Sequence, residues 1–115
     1  MGTRKKPAFV DGAALLARKM KDRDFRAAFF ERTFVREVAA AVLKMREAAG
    51  LTQVQLAKAI GSTQSVVARL ERGDVRRQPR AELLHRIAQA CGVGFQVRFI
   101  GRPRRNTPVV EYKAA

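Results

Sequence analysis

Gln64, Ser65, Ala68, Arg69 and Arg72 carry the most specific chemistry in this 115-residue chain. Steps of three and four residues return to one side of a helix, so these side chains share a face if the segment is helical. A primary amide sets a donor and an acceptor side by side and pairs with the edge of adenine. A guanidinium pairs in the same two-pronged way with guanine. Small Ala68 lets the backbone approach closely and offers its methyl to that of thymine. A helix fits the width of the DNA major groove, so such a face is suited to reading base edges.

Other chemistries find little support. The chain has one cysteine, Cys91, and one histidine, His85. One thiol forms no disulfide within the chain, and this pair makes no zinc site. Cys91 lies in an apolar helical stretch and reads as a core residue, and His85 as a surface or half-buried one. The acids are scattered, no Ser/His/Asp set emerges, and no glycine-rich phosphate loop follows a strand. No catalytic residue, metal or cofactor is therefore expected.

Charge agrees with the polar face. Lys and Arg number 24 against 10 Asp and Glu, a formal net charge of +14. A domain this basic attracts polyanions at long range, and each phosphate it neutralises releases counterions. The plainer reading is that the charge serves solubility only. No stretch is apolar and long enough to span a membrane. The basic start, Met1 to Lys6, is not followed by the apolar core of a secretory signal. Lys6 stands where a myristoylation signal needs Ser or Thr. The expected location is the cytoplasm.

The elements that must position this face follow from the apolar spacing. With 47% hydrophobic residues the chain can pack one compact domain. Three zones appear: an N-terminal arm (1–33), a helical domain (34–93) and a C-terminal strand with a basic tail (94–115). In the arm, Asp11 caps a short helix through Ala13, Leu15, Leu16 and Met20, and Asp22 or Asp24 starts a second. Phe25, Phe29 and Phe30 form an apolar stripe on it, either docked on the protein's own core or open to a partner. Val35, Val38, Val42, Met45 and Ala49 predict a first core helix ended by Gly50. Thr52 and Gln55 fit a capping box that starts the next, which buries Leu56, Ala57 and Ile60 and stops at Gly61. Ser62 or Thr63 caps a third helix with Val66, Val67 and Leu70 inward, ended by Gly73. A loop with Arg76, Arg77 and Pro79 leads to a fourth helix carrying Leu84, Ile87, Ala88 and Cys91, closed by Gly92. Phe95, Val97 and Phe99 then alternate with Gln96, Arg98 and Ile100, which predicts a strand. It needs a pairing partner: Val109 to Tyr112, another subunit or another protein. The expected fold is mainly α.

The stretch Leu51 to Gly73 resembles the helix-turn-helix of the XRE family, the group of Cro and the phage repressors. The similarity spans Val42 to Val93. It includes the run Met45-Arg46-Glu47-Ala48-Ala49-Gly50-Leu51-Thr52-Gln53 and the closing helix from Arg80 to Gly92. It implies a lambda-repressor-like helical bundle with an N-terminal helical arm and a short C-terminal β-strand attached. It also assigns roles by position. Gln64, Ser65 and Arg69, with Ala68 between them, would face bases. Gln53, Thr63, Arg72, Arg76, Arg77 and Arg80 would hold phosphates. Arg46 and Glu71 would form a partly buried ion pair between the first and third helices. Asp74 departs from the pattern, where a basic residue is often tolerated. Such proteins bind inverted-repeat operators in double-stranded DNA as homodimers. The fourth helix and the strand Phe95–Ile100 are the expected dimer contacts.

An arm of the type Asp-x-x-Phe-Arg-Ala-Ala-Phe-Phe, from Asp22 or Asp24 through Phe30, and the strand Phe95-Gln96-Val97-Arg98-Phe99 together resemble HigA-type antitoxins of type II toxin–antitoxin modules. That similarity implies a repressor of its own operon that also neutralises a RelE/ParE-like toxin. Phe25, Phe29, Phe30, Phe95, Val97 and Phe99 would be the partner surface. The tail residues Arg102, Arg104 and Arg105 depart from it and suit further phosphate or minor-groove contacts, or plain solvation. The alternatives are a stand-alone phage or chromosomal regulator, and a helical adaptor or enzyme fragment with no DNA role.

Overall fold

In the computed structural model, which describes residues 11–99 and 108–113, five helices follow one another. The first, α1 (Gly12–Lys19), is capped by Asp11, whose carboxylate accepts from the Ala13 N–H at 3.1 Å. It buries no residue.

Asp22, not Asp24, caps α2 (Arg23–Ala48), accepting from the N–H groups of Asp24 and Phe25 at 2.8 and 3.1 Å. Two helices were expected here, and one of 26 residues is found, about 39 Å long at 1.5 Å per residue. The reason is an absence of stops: no Gly or Pro lies between Arg23 and Ala49. Thr33, at the expected boundary, does not cap. Its hydroxyl donates back to the Phe29 carbonyl at 2.8 Å, a bond compatible with an unbroken helix.

The next two helices start where their caps predict. At α3 (Gln53–Ala59) the capping box is complete: Gln55 N–H donates to Thr52 Oγ1 at 3.1 Å and Thr52 N–H to Gln55 Oε1 at 2.8 Å. At α4 (Gln64–Arg72) Thr63, rather than Ser62, is the cap and accepts from Val66 N–H at 3.3 Å. Gly73 ends α4 with φ of +70°, a conformation that costs an L-residue about 1–2 kcal/mol. It also lies against α2: a Cβ there would stand 3.9 Å from both Ala39 Cβ and Val35 Cγ1. The last helix, α5 (Ala81–Ala90), follows Arg80, which makes no side-chain cap bond.

One core joins the helices. Val38 and Val42 of α2 meet Leu56, Ala57 and Ile60 of the α3 region, Val67 and Leu70 of α4 and Ile87 of α5. Phe34, Met45, Leu83, Leu84 and Cys91 pack around it. Val66, expected inward, is 40% exposed. It precedes Val67 by one residue, about 100° round the helix, and Val67 takes the core position at 0% exposure.

The C-terminal β-strand is not found. Neither 94–99 nor 108–113 has regular secondary structure. A strand must exchange backbone hydrogen bonds with a neighbour, and the described residues offer none to Phe95–Phe99. Of the returning segment, Val110 packs on the helical core instead. Ile100, the arginines of the tail and the first ten residues lie outside the described residues. His85 is exposed, with its ring centroid 6.2 Å from that of Phe95.

Candidate nucleic-acid interface

The amphipathic pattern of α4 fixes its orientation. Val67 and Leu70, at 0% and 3% exposure, turn inward. Gln64, Ser65, Arg69 and Arg72 are exposed, and Ala68 is half-buried between them. The polar face recognised in the sequence is therefore open to solvent over the length of the helix.

An ion pair locks this helix to α2. Arg46 Nε donates to Glu71 Oε2 at 2.6 Å and Nη2 to Oε1 at 2.9 Å, while Nη1 donates to the Leu51 carbonyl at 2.8 Å. The side chains are only 13% and 5% exposed. The hydrogen bond to Glu71, stronger in effect than the burial that opposes it, raises the Arg46 pKa above its ordinary value. The pair expected from the family resemblance is thus formed, with a two-pronged geometry that gives direction as well as charge.

The pair continues into the candidate reading face. Gln53 Nε2 donates to Glu71 Oε1 at 3.1 Å, and Gln64 Nε2 donates to Gln53 Oε1 at 2.9 Å. A line of hydrogen bonds thus runs from Arg46 through Glu71 and Gln53 to Gln64, the first residue of α4. Each amide keeps bonding capacity: Gln64 retains its carbonyl and one N–H, the two groups that pair with adenine, and Gln53 retains one N–H. Among the described residues no buried side-chain nitrogen or oxygen lacks a partner.

The other candidates are distributed as follows. Thr63 is exposed, and its oxygen serves the helix cap. Arg76 and Arg77 in the loop after α4, and Arg80 at the start of α5, are exposed. Arg32 and Arg36, missed in the sequence, sit across a cleft from Arg72, Arg76 and Arg77. Unbroken helix from Arg23 brings them there, and the lack of a stop signal was the clue.

The apolar candidates divide into two groups. Phe25 and Phe29 are half-buried and stacked, centroids 6.0 Å apart, with the Lys19 ammonium 5.6 Å from the Phe25 ring. Phe30 is 47% exposed and stacks on Phe34. Phe95, Val97 and Phe99 are 39%, 70% and 95% exposed.

Among the described residues no group of His, Cys, Asp and Glu is placed to hold a metal ion, and no helix is long and apolar enough to cross a membrane. A helix-turn-helix family model matches residues 42–97, from the second half of α2 through α5. No curated protein and no solved structure matches the chain.

Proposed function

We propose that the helix-turn-helix of residues 42–97 makes this chain a sequence-specific DNA-binding transcriptional regulator. One observation carries the reading: α4 shows solvent a face of Gln64, Ser65, Arg69 and Arg72 around small Ala68, and it starts at an amide already braced from behind. In this reading α4 enters the major groove. Gln64 and Arg69 read base edges, Ser65 hydrogen-bonds beside them and Ala68 admits a thymine methyl. The remaining N–H of Gln53, the Thr63 hydroxyl, and Arg72, Arg76, Arg77 and Arg80 hold phosphates and set the register. The Arg46–Glu71–Gln53–Gln64 line fixes the reading amide before DNA arrives, so less side-chain freedom is lost on binding. A homodimer would place two copies of α4 about 34 Å apart on an inverted repeat. Its proposed contacts lie on α5. Footprinting on the DNA upstream of the gene tests this. Arg69→Ala should relax base preference, and Arg77→Ala should weaken all sequences alike. If neither change alters binding there, α4 is not the reading helix.

A narrower reading, supported by the exposed apolar side chains, is that the chain is an antitoxin. Phe99 at 95% and Val97 at 70% exposure leave apolar surface in water, and covering one such side chain gains about 1.5–3 kcal/mol. A RelE/ParE-like toxin pairing with this segment, or packing on Phe30 beside Phe25 and Phe29, would cover it. The stand-alone regulator is the alternative. Co-expression with the product of the neighbouring reading frame separates them: an antitoxin forms a stable complex that Phe99→Ser weakens, and a stand-alone regulator forms none.

A further inference from the structure

Helix α2 runs on beyond the core, and its extension carries charge to a definite place. Before Val38 it buries no residue. Between it and the loop after α4 lies a cleft of about 370 Å³. Arg32 and Arg36 of α2, Arg72 of α4, and Arg76 and Arg77 of the loop line it, against one acid, Glu31. All five arginines are exposed. Among the described residues none of the five forms a salt bridge or donates a side-chain hydrogen bond.

Such crowding opposes folding. Like charges four residues apart on a helix repel, as Arg32 and Arg36 do, and a cleft lined by one sign of charge concentrates its field. Glu31 is the single acid facing the five, so an anion from outside would relieve most of this repulsion. Guanidinium forks match phosphate oxygens in pairs. The cleft is also fixed in place, because Gly73 lies against Val35 and Ala39 of α2. It is continuous with the reading face as well, since Arg72 belongs to both. Arg72 follows Arg69 by three residues on α4 and lines the cleft with its own end of that helix.

We propose that the extension of α2 is a second phosphate clamp, in which Arg32 and Arg36 close with Arg76 and Arg77 on duplex backbone phosphates flanking the base pairs that α4 reads. The proposal rests on the DNA-binding reading above. It adds contacts from outside the matched residues 42–97. The clamp strengthens binding to every sequence and lengthens the footprint without contributing base preference.

The test uses the full chain and its Arg32→Gln/Arg36→Gln variant, both titrated onto a duplex carrying the gene's upstream region and onto a scrambled duplex. Salt is varied from about 50 to about 200 mM. Loss of the clamp should lower the slope of log affinity against log salt by about 0.9 per lost contact, so by about 2, on both duplexes. The preference between duplexes should not change. Glu31→Gln, which removes the acid of the cleft, should tighten both. An unchanged slope in a variant with wild-type circular dichroism and melting, while the wild type binds duplex, overturns the clamp and leaves the DNA reading intact. A changed preference between duplexes, or weaker binding by Glu31→Gln, overturns it too. Absence of salt-dependent duplex binding by the wild type overturns both. Pyrophosphate binding that the arginine variant loses while its duplex slope stays unchanged assigns the cleft to a small anion and overturns the clamp.

Discussion

Removing the Glu71 carboxylate should destabilise the domain far more than an ordinary surface change would. The Glu71 side chain is 5% exposed and accepts three hydrogen bonds, two from Arg46 and one from Gln53. In Glu71→Ala the Arg46 guanidinium, 13% exposed, keeps only the Leu51 carbonyl, and a charge stays enclosed without its counter-ion. Breaking one side of a buried pair costs about 3–5 kcal/mol. Slight exposure of Arg46 lets water in and favours the lower end, so about 3 kcal/mol is expected. For a domain of this size that lowers Tm by about 12–24 °C. Glu71→Gln separates charge from shape, because its amide NH2 must face a donor of Arg46 or Gln53; it should lose a large part of the same stability. Arg46→Met/Glu71→Leu removes both charges and fills the space, so it should be more stable than Glu71→Ala. Urea unfolding of the two single variants and the double variant gives the coupling energy. A loss below about 1 kcal/mol for Glu71→Ala, with additive behaviour in the double variant, would refute the inference that the pair holds α4 on α2.

Three other changes follow from the core and the helix ends. Leu56→Ala, at a site with 0% exposure, should cost about 2–5 kcal/mol in urea unfolding. Gly73→Ala has room for its methyl but forces an L-residue to φ of +70°, so about 1–2 kcal/mol is lost through backbone strain alone; an unchanged unfolding midpoint would sink that account. Burial pushes the Cys91 thiol up, with nearby Arg46 opposing and Glu71 adding to the shift. The folded chain therefore holds this proton more tightly than the unfolded one. The contribution of Cys91 to stability should be level below about pH 8.5 and fall as pH rises from there to the raised folded value. Cys91→Ala should remove that decline, and iodoacetamide should modify the folded chain more slowly than the unfolded one.

Local signals predicted the helix starts because the groups that set them are local. Thr52 and Gln55 satisfy each other's backbone across three residues, so the capping box was readable without knowing what α3 packs against. The same holds for the turn glycines and for the inward Leu56, Val67 and Ile87. Two features depended on information that is not local. Val66 and Val67 are equally apolar, and only the direction of α2 decides which is buried. The strand at Phe95–Phe99 had the right alternation, yet a strand exists only when a second one lies beside it. In the site, the outward side of α4 followed from periodicity. The hydrogen bonds joining Gln53 to Glu71 and to Gln64 did not, because they link side chains 18 and 11 residues apart.

The unbroken α2 links these features physically. A helix that stopped at Thr33 would have left the arm as an appendage, free to swing relative to α4. Continuity from Arg23 to Ala48 ties the backbone at Arg32 and Arg36 to that at Val38 and Val42, whose side chains the core holds at 1% exposure each. The same helix carries Arg46 near its far end, where it grips Glu71. Polar groups at both ends of α4 are thus referred to one rigid rod: Gln64 through Gln53 and Glu71, and Arg72 through the contact of Gly73 with Val35 and Ala39. Rigid placement matters most for groups that must meet a regular lattice of phosphates and base edges, because misplacement of even one group weakens the others that share its scaffold. In the proposed DNA-binding reading, the orientation of α4 on α2 would set both where bases are read and where the backbone is gripped, and a change that tilts this helix should weaken the two together.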